Sequence, residues 1–98
     1  MSAYWVNTFT AIHDETRLAR YAELAGPAIR AAGGEFLARA DPAHVLEGDA
    51  ALRTVVIRFA DADAAVAAYR SPAYQEALTA LGDGAERDIR IVPGVDTT

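Results

Sequence analysis

The chain has no cysteine and no lysine. Without a thiol there is no disulfide staple, no thiolate metal ligand and no cysteine nucleophile. Without lysine, all nine basic side chains are arginines, scattered among fourteen carboxylates for a formal charge of −5. Binding nucleic acid needs basic charge clustered on one surface, so that class of partner is excluded. Ser2 and Ser71 are the only serines, and neither lies in a nucleophile motif. His13 and His44 are the only histidines, which rules out a three-histidine metal site. A site of two histidines and one carboxylate would have to join both to Asp14 or Glu47, and no ligand spacing links them. Neither helical stretch carries a histidine to serve as a haem ligand. No metal and no other cofactor is expected. No apolar run approaches the ~20 residues of a membrane span. The opening "MSAYWVNTF" lacks the basic flank and long apolar core of a signal peptide. The expected location is cytoplasmic, with no membrane partner.

What is present fits one folded domain over residues 1–98, with 52% of the residues apolar. A chain this short buries roughly 60–70% of its unfolded surface, a thin margin for a monomer. "YWVNTFTAI" (4–12) is aromatic and β-branched and reads as a strand. Asp14 is placed to cap a helix whose apolar face is Leu18, Tyr21, Ala25, Ala28 and Ala32, ended by Gly33-Gly34. "EFLARA" (35–40) and "HVLEG" (44–48) read as short strand-like arms around an Asp-Pro turn. "LRTVVIRFA" (52–60) is the clearest strand, with Val55, Ile57 and Phe59 on one face and Thr54, Val56 and Arg58 on the other. Asp61 caps an alanine-rich helix, Ser71-Pro72 stops it and starts another, and Gly82 ends that one. In "GDGAERDIRIVPG" (82–94) no lysine, serine or threonine follows the glycines, so this is not a phosphate loop; it is the junction between a helix and the last strand.

The order strand, helix, strand, strand, broken helix, strand is that of an α+β protein with the ferredoxin-like βαββαβ plait: a four-stranded antiparallel sheet with helices on one face. Large apolar residues occur at both parities of the strands: Trp5 and Phe9 on one, Tyr4 and Val6 on the other. Helices cover only one face, and leaving the other wet forgoes about 25 cal/mol per Å² of burial. A homodimer is therefore expected, the two sheets meeting face to face in a barrel.

Several stretches together, "AYWVNTF", "YAELAGPAIRAAGGEFLAR", "RTVVIRF", "AVAAYRSPAYQEAL" and "GDGAERDIRIVPGV", resemble the family called domain of unknown function 1330, in the dimeric α/β-barrel superfamily. The resemblance covers nearly the whole chain and implies the same plait and dimer. It carries no catalytic residues to transfer. Superfamily relatives include cofactor-free oxygenases, lactone isomerases, polyketide cyclases and haem-degrading enzymes, and also domains that only bind ligands. This chain departs from the pattern after Arg39, where Ala40-Asp41-Pro42 replaces an expected glycine turn.

Candidate chemistry falls on a few polar residues. Arg39 and Glu47 would face each other across the 35–48 hairpin, and Arg87 and Asp88 stand at the entry to the last strand. They are either surface ion pairs or an arginine fork for a substrate carboxylate or enolate with a carboxylate nearby. Tyr21, Tyr69 and Tyr74 lie on helix faces turned to the sheet, either as core packing or as the lining of a cavity with Trp5 and Asn7. Asn7 is the odd residue, a primary amide in an apolar strand that needs partners if buried. Two readings remain open. One is a cofactor-free enzyme of oxygenase, isomerase or cyclase type acting on a small aromatic or enolisable compound. There Asn7 and Arg39 stabilise negative charge, His13 or a carboxylate moves the proton, and the tyrosines position the ring. The other is a non-catalytic dimeric module that binds a small molecule or serves only structure.

Overall fold

Residue alternation builds the first strand. In a computed structural model, which describes residues 1–49 and 52–95, β1 (Ala3–Ile12) buries Ala3, Trp5, Asn7 and Phe9 and turns Tyr4, Val6 and Thr8 the other way. Asp14 then caps α1 (Glu15–Ala31), its carboxylate accepting the Arg17 N–H at 3.0 Å, which satisfies one of the helix's unpaired amides. The helix runs on through Pro27, which lies on its exposed side. Gly34 follows where chain and core nearly touch: a Cβ there would sit 2.5 Å from Ile29 and 2.9 Å from Phe59.

β2 (Glu35–Ala40) and β3 (Arg53–Phe59) come next. Asp61 caps α2 (Ala62–Arg70) through the Ala64 N–H at 2.7 Å. Ser71 does double duty: its hydroxyl donates to the Ala68 carbonyl at 2.8 Å and accepts the Tyr74 N–H at 3.2 Å. It thereby closes α2 and opens α3 (Pro72–Leu81), with Pro72 where its missing donor costs nothing. Gly82, at φ 53°, ends α3 in a conformation that favours glycine, and β4 (Ala85–Pro93) follows.

The strand order is β2-β3-β1-β4, antiparallel throughout. This is the expected ferredoxin-like plait. Across β3, β1 and β4 the helix-side rows are Ile57–Trp5–Ile91, Val55–Asn7–Ile89 and Arg53–Phe9–Arg87. The rows of the opposite face are Arg58–Tyr4–Val92, Val56–Val6–Arg90 and Thr54–Thr8–Asp88. The Cα extents of 43 × 37 × 15 Å are those of one helical layer on one sheet. The core lies between them, and no described element covers the second sheet face, with Tyr4, Val6, Val56 and Val92.

The 44–48 segment departs from the expected strand: Asp41 to Asp49 is irregular, with Val45 and Leu46 exposed. The outer edge of β2 is free, but Pro42 and Gly48 (φ 100°) interrupt regular pairing on it. No second hairpin arm therefore faces Arg39, and Glu47 sits exposed in the connection.

Candidate functional site

The helix side of the sheet holds a cleft under α1. Leu18, Tyr21, Ala25 and Ile29 roof it, Trp5, Phe9, Val55 and Ile57 form its floor, and its enclosed volume is about 40 Å³. Three polar groups interrupt this apolar lining: Asn7, Arg53 and Arg39. Asn7 is 3% exposed, and its Oδ1 is buried without a hydrogen-bond partner. The Nε of Arg53 is likewise buried and unpartnered. These are the two buried side-chain polar atoms without a partner among the described residues, and both belong to the lining of one cleft. Leaving such a group unpaired costs about 1–3 kcal/mol, more when it is charged. The cleft thus offers an unfilled acceptor and an unfilled cationic donor.

Arg39 reaches this cleft through a local irregularity. Phe36 pairs with Ile57 and Ala38 with Val56, so Leu37 is an extra residue in β2. The bulge resets the alternation and brings Arg39, opposite Val55, onto the same face as Phe36. The Arg39 guanidinium lies 4.7 Å from the Phe36 ring centre and that of Arg30 lies 5.2 Å from it, within cation–π range.

Beyond Trp5 lies a phenol–guanidinium cluster. The Tyr21 and Tyr74 hydroxyls are 2.7 Å apart, and Arg87 Nη1 donates to them at 2.8 and 3.3 Å. The Tyr74 side chain is fully buried, and burial, reinforced by the Tyr21 hydroxyl, pushes its phenol far above the usual range. Burial alone would draw Arg87 down, but its two phenol partners outweigh that and hold it above the ordinary guanidinium range. Tyr74 also meets Trp5 edge to face at 5.2 Å, and Tyr69 lies 5.8 Å from Trp5. On the β4 side of this cluster, Tyr69 and Arg87 border an open groove of about 600 Å³.

The sequence candidates therefore divide. Trp5, Asn7, Tyr21 and Arg39 meet at the cleft; Tyr69 and Arg87 meet at the groove; Tyr74 is sealed between them. His13 stands exposed after β1, its Nε2 2.8 Å from Glu86 Oε2, and lines neither space. Asp88 is on the opposite sheet face, gripped by Arg90 at 2.8 and 3.1 Å, which holds its carboxyl below the usual range. Glu47 lies in the exposed loop. No group of three metal-ligating side chains occurs among the described residues. Arg53 is the residue that reading the sequence for function passed over, although its parity with Val55, Ile57 and Phe59 places it on the apolar face.

The comparisons agree with the architecture. Nothing among curated proteins matches the chain. A solved protein of unknown function from Rhodopseudomonas palustris superposes with a TM-score of 0.76 at 15% identity, covering 97% of this chain and 83% of its own. SnoaB, a cofactor-independent oxygenase from Streptomyces nogalater, gives 0.69 at 17% identity, covering 98% and 95%. A candidate antibiotic biosynthesis monooxygenase from Caulobacter crescentus gives 0.65 at 14% identity, covering 97% and 91%. At such identities the likeness is one of fold. The family is shown by the sequence: residues 2–95 match the domain of unknown function DUF1330, and the chain belongs to that family.

Proposed function

We propose that the protein is a cofactor-free enzyme that binds a small phenolic or enolisable compound as its anion in the cleft under α1. The observation that carries this reading is the pair of unpartnered buried groups, Asn7 Oδ1 and Arg53 Nε, at one apolar cleft. In this reading Arg53 Nε–H and the Asn7 Nδ2–H group donate to a phenolate or enolate oxygen, supplying fixed dipoles where negative charge resides, while Asn7 Oδ1, an acceptor, receives a hydroxyl of the same molecule. Arg39 closes the open side as a second cation, and Trp5 and Tyr21 flank the ring. The cleft lining described contains no carboxylate and no imidazole. The proton is therefore lost to solvent before binding, and the site selects molecules that already ionise near neutral pH. Reaction of the bound anion with dioxygen, or its rearrangement, then needs no metal or flavin; the fold-level likeness to SnoaB fits the first course. An apolar cavity that takes a benzene ring is about 150 Å³, so the 40 Å³ cleft must widen, and Phe36 and Arg39 at the sheet edge are the side chains that swing aside.

The test is turnover of a panel of hydroxylated aromatics and 1,3-dicarbonyl compounds, followed by absorbance and oxygen uptake. Substitution of Asn7 by Ala or Arg53 by Gln is expected to lower kcat by about 10²–10³-fold. A second reading, a non-catalytic binding module, is favoured by the missing base. Saturable binding of phenolates with no conversion of any of them would establish it over the first.

We also propose that two copies pair sheet to sheet. The uncovered row Val56–Val6 with Tyr4 and Val92 supports this, as do the exposed Leu37 of β2 and Val45, Leu46 and Leu52 of the connection between β2 and β3.

A further inference from the structure

The groove on the β4 side is a separate space from the cleft. Its walls are Val66, Leu78 and Leu81 from the helices and Ile89 and Ile91 from the strand, and Arg70, Arg87 and Tyr69 are the polar members of its lining. The four ion pairs among the described residues engage His13, Arg17, Arg58 and Arg90. Among the described residues Arg70 and Arg87, like Arg20, Arg30, Arg39 and Arg53, have no carboxylate partner, in a chain where acids outnumber bases fourteen to nine. Arg87 is also half-buried and fixed by two neutral phenols, which position the guanidinium without neutralising it. A preset cation in the wall of an apolar trough complements a ligand that carries an anionic head on an apolar chain. The size agrees, since small-molecule sites run about 300–1,000 Å³.

We infer that this groove is a binding site for an amphipathic monocarboxylate, its carboxylate bridging Arg87 and Arg70 and its hydrocarbon lying along Leu78, Leu81, Ile89 and Ile91. The site stands on different residues from the cleft, and its existence does not depend on the enzymatic reading.

Octanoate, octanol and octylammonium share one chain and differ in charge. Each is titrated into the full-length protein, with binding followed by the fluorescence of Trp5, the single tryptophan, which packs against Tyr69, and by amide shifts in two-dimensional NMR. Octanoate is expected to saturate, to bind at least tenfold more tightly than octanol, and to shift Ala85, Ile89 and Ile91; octylammonium is expected not to bind. Arg70→Gln, at an exposed position, should weaken octanoate about tenfold by removing one charge-assisted contact, and Arg87→Gln should weaken it further. Asn7→Val should leave octanoate binding unchanged, which separates this site from the cleft. Equal affinity for octanoate and octanol would overturn the inference. So would unaltered octanoate binding in Arg70→Gln, or shifts centred on Tyr4 and Val6 of the opposite sheet face.

Discussion

Asn7 shows how much one residue in a strand reveals. Its amide among Trp5, Val6 and Phe9 marks a polar feature on an apolar face from the sequence alone. That its oxygen lacks a partner depends on what β3, β4 and α1 happen to bring near it, and no local pattern reports that. Arg53 was legible by the same alternation that identified Val55 and Ile57. If Asn7 is held unpaired for ligand binding, Asn7→Val should raise stability by about 1 kcal/mol, because an apolar group of similar size removes an unmet acceptor; urea unfolding measures it, with loss of phenolate binding alongside. Tyr74 makes a pH prediction. Its ordinary pKa is 10.0, and the fold raises it, so the native chain holds this proton more tightly than the unfolded chain. The associated stability is complete below pH 10 and is lost as pH rises above it, at up to about 1.4 kcal/mol per unit. Tyr74→Phe should show a shallower alkaline loss in denaturant titrations between pH 9 and 12, at a cost of about 1 kcal/mol near neutrality for the missing hydroxyl bond.

Among the elements, the helices were the most legible because their ends are written in local chemistry. Asp14, Asp61 and Ser71 each cap the helix expected of them, and Gly82 ends one. The strands were legible where alternation is strong and failed where it is weak. In the 44–48 segment, Val45 and Leu46 suggested a strand, but Pro42 and Gly48 keep the segment from pairing along the outer edge of β2. The Leu37 bulge left no mark in the sequence, yet it decides that Arg39 faces the cleft. Inserting one alanine between Ala38 and Arg39 should place the alanine opposite Val55 and carry Arg39 to the opposite face. Arg39 side-chain contacts to Phe36 in NMR spectra of that variant should vanish, and phenolate affinity should fall by about tenfold with the loss of one charge-assisted contact. Persistence of both would show that strand register does not set the position of Arg39.

For the whole molecule, the plait followed from element order and the uncovered sheet face from strand parity. A partner for that face is an inference from what water would otherwise touch. Light scattering should give twice the chain mass for the native protein. Val6→Glu with Val56→Glu, residues directly opposite each other on the bare face, should give one chain mass with the fold retained. The account of function turns on whether Asn7 and Arg53 receive an organic anion together. The most direct measurement is a titration with 4-nitrophenolate that follows the ¹⁵N-resolved side-chain resonances of the Asn7 amide and Arg53 Nε–H. The account predicts that both shift saturably with a single dissociation constant, the Arg53 proton moving downfield as it gains an acceptor. Binding that leaves both resonances in place, or no binding at all, would contradict it.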